Sequence, residues 1–243
     1  MRLLAPLVAC ILAACAAPSS LPDVTGVDAL LVGEQHDADS HARLQREYVA
    51  ALARRGALAA LALEMAERGA STAGLPPDAS EDAVRGALRW NNEAWPWERY
   101  RPAVMAAVAA GVPVLGANLP RAGMRAAMGD AALDALLPGP ALKAQQQAIR
   151  RGHCDLLPES QIRPMTRIQV ARDREMARTL QDALRAGKTV VLLAGAGHVA
   201  PDLGVPLHLP ATVRVRPLVL PPEETGKDYC AQLRQSMPQP SRP

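Results

Sequence analysis

Glu34, His36, Glu64 and His198 are the residues of this chain best suited to joint acid–base chemistry. Each follows a short apolar run. Gly33-Glu34-Gln35-His36-Asp37 follows Leu30-Leu31-Val32, Glu64-Met65 follows Leu61-Ala62-Leu63, and Gly195-Ala196-Gly197-His198 follows Val190 to Leu193. A fourth run, Val112 to Leu115, leads into Gly116-Ala117-Asn118, with Arg121 shortly beyond. Carboxylates beside imidazoles suit general acid–base catalysis, or the holding of a divalent metal. Singly, each has a plainer reading: a solvated residue leaving a strand for Glu34 or Glu64, a helix cap for His198, an Asx-turn before Pro120 for Asn118. Together they imply a common edge.

The long polar–apolar pattern over 164–186 adds a second signal. At about 100° per residue, Met165, Met176, Leu180 and Ala183 share a stripe, with Arg172 in its middle and Gln169 and Asp173 at its flank. A charge on a buried stripe needs a partner or a ligand. For Arg172 that is either a carboxylate such as Glu34 or Glu64, or a substrate. The third signal is aromatic. All three tryptophans and one tyrosine fall within Trp90 to Tyr100, in a chain that is only 2% aromatic. Such a segment packs in a core, or offers flat surface to a planar ligand or a second copy.

The elements that must position these residues are legible from periodicity. Strands are expected over 28–33, 58–63, 112–115 and 189–193, with an edge strand over 213–220. Helices are expected from about 44 to 55 and over 80–89, 98–110, 121–136, 141–151 and 164–186. Strands alternating with helices give an α/β fold: one domain, with a mainly parallel sheet flanked by helices on both faces. In such a sheet every strand's carboxyl end lies on one edge, where these proteins bind ligands.

The ends of the chain read differently. Arg2 and the apolar run Leu3 to Ala14, too short for the roughly 20 residues of a membrane-spanning helix, form a secretion signal over 1–15. Leu12-Ala13-Ala14-Cys15 has the form of a lipobox, with Cys15 as the lipidated residue. Ala16 carries no acidic retention signal, so the expected location is the cell envelope, lipid-anchored at the outer membrane. Residues 16–27 are expected to be a tether, 28–220 the domain, and 221–243 an irregular tail rich in Pro, Glu and Gln. An oxidising compartment permits Cys154 and Cys230 to pair, but their spacing does not decide it. The net charge of +3 is too mild for a nucleic-acid binder.

In chain order, Gly33-Glu34-Gln35-His36-Asp37 with His41, Leu63-Glu64-Met65, the Trp95 to Pro102 stretch, Ala117-Asn118 with Arg121, Gln169-Val170-Ala171-Arg172-Asp173 and Gly195-Ala196-Gly197-His198 resemble the ChaN family. That family of haem-binding lipoproteins lies within a wider group that includes erythromycin-esterase-like and Tiki-like proteins. The resemblance implies an outer-membrane lipoprotein of iron uptake, with two haems stacked at a homodimer interface and tyrosine as iron ligand. An outer-membrane haem receptor is then an expected partner. Ferric haem accepts a phenolate, and propionates need Arg or Lys partners. Tyr100, beside Arg99 and Arg101, is the first-choice iron ligand, with Trp97 as its flat neighbour. Tyr48 comes second, Tyr229 last, and His41 or His153 are substitutes. The competing reading is a hydrolase using Glu34, His36, Glu64, Asn118, Arg121, Arg172, Asp173 and His198, with or without a divalent metal. It lacks a His-Glu-x-x-His spacing or a Gly-x-Ser-x-Gly nucleophile. A scaffold lipoprotein is the third reading. The strand-end motifs contain no Trp or Tyr, which leaves two alternatives: the haem surface and the polar crevice are separate sites, or they are one.

Overall fold

A computed structural model describes residues 23–236. The signal, Cys15 and residues 16–22 of the tether lie outside the described residues. Five strands, β1 (Ala29–Glu34), β2 (Leu58–Glu67), β3 (Val114–Asn118), β4 (Thr189–Gly195) and β5 (Val215–Val219), form one sheet in the order β3-β2-β4-β1-β5. Every pairing is parallel. The carboxyl ends of β1 and β4, the two most buried strands, therefore lie at the centre of one edge.

Side chains alternate across a strand, so each strand feeds two cores. Leu30, Val32, Leu61, Leu63, Val191 and Leu193 face the first helical layer, made by α1 (Asp39–Arg54), α2 (Glu81–Ala87) and α3 (Trp97–Ala109). Ala29, Leu31, Ala60, Ala62, Val190 and Leu192 face α6 (Glu159–Ala183), through Met176, Ala177, Leu180 and Ala183. The expected two-sided α/β architecture is thus present. Small residues on the second face let the long α6 lie close to the sheet. Each large apolar side chain buried in these layers contributes about 1.5–3 kcal/mol.

Some boundaries differ from the expectation. The single helix expected over 121–136 is broken into a 3₁₀ turn at Arg121–Gly123, α4 (Met124–Gly129) and a 3₁₀ stretch at Ala131–Leu136. Gly129 weakens the helix, and the Asp130 side chain caps the next turn by accepting from Ala132 N. Helix α5 (Gly139–Gly152) follows. β2 runs past Leu63, so Glu64 is a strand residue rather than one leaving a strand. Val24, expected in the tether, packs against the core under Leu52, so the ordered fold begins earlier than residue 28.

The tail differs most. Residues 221–228 run without regular structure across the carboxyl edge, and α7 (Tyr229–Ser236) ends the described chain. Cys230 is joined to Cys154, with 5.6 Å between their Cα atoms. Glu223 caps α1, accepting from Asp39 N at 3.0 Å and Ser40 N at 3.2 Å, and exchanges hydrogen bonds with the Gln35 side chain. A carboxylate at a helix N-terminus is favourable in charge as well as in bonding. No helix among the described residues is long and apolar enough to cross a membrane.

Candidate functional site

Alternation along the strands decides which way each carboxylate of the edge points. Glu34 shares its side of the sheet with Leu30 and Val32, so it turns toward α1 and α3. There its Oε1 accepts from the Tyr100 hydroxyl at 2.7 Å, and its Oε2 accepts from the Gln45 amide. Glu64 shares its side with Ala60 and Ala62, and turns toward α6. Its Oε1 accepts from Arg172 at 2.5 Å and lies 3.3 Å from His198 Nε2, while its Oε2 accepts from Gly195 N at 2.7 Å. The two carboxylates thus belong to opposite faces of the sheet.

His36 joins them over the sheet edge. Its Nδ1 lies 2.7 Å from Glu34 Oε1 and its Nε2 3.8 Å from Glu64 Oε2. On the α6 side, His198 Nδ1 lies 2.5 Å from Asp173 Oδ1, which makes a line Asp173–His198–Glu64. Arg172 Nε donates to Asn118 Oδ1 at 2.9 Å, and Asn118 Nδ2 donates to the Glu64 carbonyl at 2.8 Å. Seven of the eight residues expected at the edge belong to this one network. The eighth, Arg121, only borders it: its backbone N–H donates to Glu67 and its exposed side chain lines an adjoining chamber.

Burial and charge compete throughout. Burial alone would lower the His198 pKa, but Glu64 and Asp173 hold it up at about 9, so the imidazolium persists at neutral pH. Burial would raise Glu64, but His198, Arg172 and His36 hold it well below the ordinary carboxylate range. Burial raises Asp173, although His198 and Arg172 oppose this. His36 is raised too: Glu34 and Glu64 outweigh its burial and the repulsion of His198. The centre is therefore a compensated ion network. The oxygens of Glu34 and Glu64 are already engaged by neighbouring donors, which suits them poorly to a divalent metal. Among the described residues no group of three or more His, Cys, Asp or Glu is arranged to hold one.

The network floors a crevice of about 670 Å³. Trp95 and Arg99 form one wall, and Lys227 and Tyr229 of the tail form another. The Trp95 ring meets the His36 ring edge-on at 4.8 Å. Lys227 Nζ lies 3.2 Å from Asp37, which also accepts from the Tyr229 hydroxyl. Of the two alternatives, the structure brings Trp95 and the polar residues into one space. Trp95 and Tyr100 lie over the strand ends, because α3 packs against α1 beside β1.

The tyrosines are also reordered. Tyr100 is 0% exposed, its hydroxyl is spent on Glu34, and burial with the Glu34 charge raises its pKa far beyond reach. It is a floor residue, not a surface iron ligand. Tyr48 is 6% exposed and belongs to the core, and burial raises its pKa as well. Trp97 is 4% exposed and donates to Glu81 away from the crevice. Arg99 ties α3 to α1 through the Ala38 carbonyl and Asp39. His41 is buried, accepts from Gln35 N and bonds the Pro221 carbonyl, so its role is to hold the tail. His153 is turned back onto Ile149 at the end of α5. Tyr229, placed last from the sequence, is 49% exposed at the crevice rim.

Gln45 was missed. Its signal was present, since a polar residue one turn from His41 and Val49 lies on the buried stripe of α1. Lys227 gave no signal at all.

Fold and site together define a parallel α/β domain with a charged crevice at the carboxyl edge of its sheet. The chain belongs to the family described as haem-binding uptake, Tiki superfamily, ChaN, which matches residues 21–209. It resembles a solved structure that describes cofacial haem binding to ChaN of Campylobacter jejuni. The two are 25% identical, the match covers 82% of this chain and 83% of that one, and the TM-score is 0.67. Two weaker likenesses carry no argument. The type III effector HopBA1 is 18% identical over 79% of this chain and 75% of its own, with a TM-score of 0.44. RRSP, a MARTX toxin effector domain from Vibrio vulnificus, is 13% identical over 82% of this chain and 34% of its own, with a TM-score of 0.48. No curated protein matches the chain by sequence.

Proposed function

We propose that this protein captures haem at the crevice mouth and serves haem or iron uptake in the cell envelope. One observation carries the reading. Of the three tyrosines, Tyr229 alone has an exposed phenol, and it stands at the rim with Lys227 and Trp95. Ferric haem takes a phenolate ligand, and its propionates pair with cations. Trp95 beside Pro96 supplies flat apolar surface for a porphyrin face. The likeness to the Campylobacter protein supports haem as the ligand, and two copies meeting rim to rim would stack their haems. Lipidation at Cys15, outer-membrane location and exchange with an outer-membrane haem receptor complete the proposal, supported by the lipobox.

Haemin titration of the form lacking residues 1–15, followed by absorbance and size-exclusion chromatography, tests the reading. The expected result is a saturable high-spin ferric spectrum with a shift from monomer to dimer. Tyr229→Phe should abolish that spectrum and Tyr100→Phe should keep it. A response without saturation overturns haem as the ligand, and equal loss in both variants overturns Tyr229 as its iron ligand. For the anchor, Cys15→Ala should move the protein from the membrane fraction to the soluble envelope fraction.

A further inference from the structure

The crevice does not end at Trp95. Beyond Trp95 and Arg172, which line both spaces, a second chamber of about 360 Å³ opens over the ends of β2 and β3. Its walls are partly apolar, from Met65, Leu88, Leu119 and Met124. Arg89 and Arg121 both line it, one from the turn after α2 and one from the turn after β3.

These two arginines differ from most others around the site. Arg99 is bonded to Ala38 and Asp39, Arg101 to Glu81 and Glu98, and Arg172 to Glu64 and Asn118. The side chains of Arg89 and Arg121 make no hydrogen bond or ion pair among the described residues. The single carboxylate facing them without a cation of its own is Glu67, and its Oε1 accepts the Arg121 backbone N–H. Glu64, also in the wall, is already compensated by Arg172 and His198. The chamber therefore carries excess positive charge. Arg89 is also held at φ 48°, a backbone conformation that costs a non-glycine residue energy.

We infer that this chamber is an anion subsite, in which Arg89 and Arg121 clamp a carboxylate carried on a short apolar arm of the ligand that occupies the crevice. Two guanidinium forks match the two oxygens of a carboxylate, and the methionine and leucine walls match an alkyl arm better than a bare ion. Trp95 stands at the junction, against which the body of the ligand lies. The subsite gives the crevice selectivity for amphipathic ligands with a free acid. It deepens the haem reading, because a propionate is such an arm, but it does not depend on iron ligation.

The test compares haemin with haemin dimethyl ester, using wild type and Arg89→Gln/Arg121→Gln. Both residues are exposed, so the variant should fold as wild type does. Wild type should bind haemin at least tenfold more tightly than the diester, and the variant should bind both alike, at the diester's affinity. A variant that keeps the wild-type preference overturns the subsite. If wild type binds neither form, the haem reading fails by itself, and the chamber is tested with octanoate against octanol through tryptophan fluorescence. A preference for octanoate that vanishes in the variant sustains the subsite; equal quenching by both, or a preference the variant keeps, overturns it.

Discussion

His36 crosses the sheet edge over Gly195, so closely that a Cβ on that glycine would lie 2.8 Å from His36 Nε2. It would also stand 3.5 Å from Glu64 Oε2. The missing side chain at the end of β4 is what allows one imidazole to bridge carboxylates that belong to opposite faces of the sheet. The same glycine donates its N–H to Glu64, so it both vacates the space and supports one of the charges.

Gly195→Ala should therefore displace His36 rather than merely crowd it. The expected cost is about 1–3 kcal/mol, typical of an inserted methyl group in a packed site. The His36 pKa should fall back toward 6.5 as its carboxylate partners are lost. Chemical denaturation and an NMR titration of the ring protons measure the two effects.

Arg172→Ala should be among the most damaging single changes near the crevice. It leaves buried Glu64 without its bonded guanidinium and frees Asn118. Removing one partner of such a pair typically costs about 3–5 kcal/mol. Adding Glu64→Gln should cost less than the sum of the single changes, since the charge that Arg172 balanced is then gone. Urea midpoints of the two single variants and the double variant measure this coupling.

Stability should fall on the alkaline side of neutrality. His198 has a raised folded pKa, so its contribution is fully present below about 6.5 and is lost as pH rises through about 9. His36, also raised, acts in the same direction. Asp173 is raised by burial, and ionising it at higher pH relies on the His198 charge being in place. Glu64 is lowered, so its contribution is present above 4.5 and lost as pH falls further. Melting temperature against pH should show a plateau between those limits and a decline above it that His198→Gln flattens.

Reducing the Cys154–Cys230 bond should release the tail from the rim. The bond closes a separation of 76 residues, and loss of a native disulfide commonly costs about 2–5 kcal/mol. Limited proteolysis should then cut within 221–236 first, and Tyr229 and Lys227 should cease to wall the crevice. Haemin binding by the reduced protein should weaken to the level of Tyr229→Phe.

Much of the fold was legible because two patterns are hard to disguise. The unbroken apolar run Leu30 to Val32 marks a strand buried on both faces, and the stripe through Met176, Leu180 and Ala183 marks the buried face of a helix. The convergence of Glu34, Glu64, Asn118 and His198 also followed from strand ends alone, since parallel strands share an edge. What failed was ranking by neighbourhood in sequence. Tyr100 looked favourable between two arginines, but helical geometry sends Arg99, Tyr100 and Arg101 to three different surroundings. Tyr229 lies in a polar tail that no periodicity marks, and only the fold brings it to the crevice rim.

By itself, then, the sequence determined the strand–helix alternation, the shared edge and the presence of acid and imidazole groups on it. These are local consequences of apolar spacing and of where each run stops. Only the tertiary structure decided which carboxylate met which cation, that Arg172 belongs to Glu64 rather than Glu34, and that the tail closes over the site. Those pairings join residues such as Gln35 and Glu223, 188 positions apart, and depend on the packing of α6, α1 and the disulfide-held tail. Contacts of that range are set by how surfaces fit, and no periodicity along the chain encodes them.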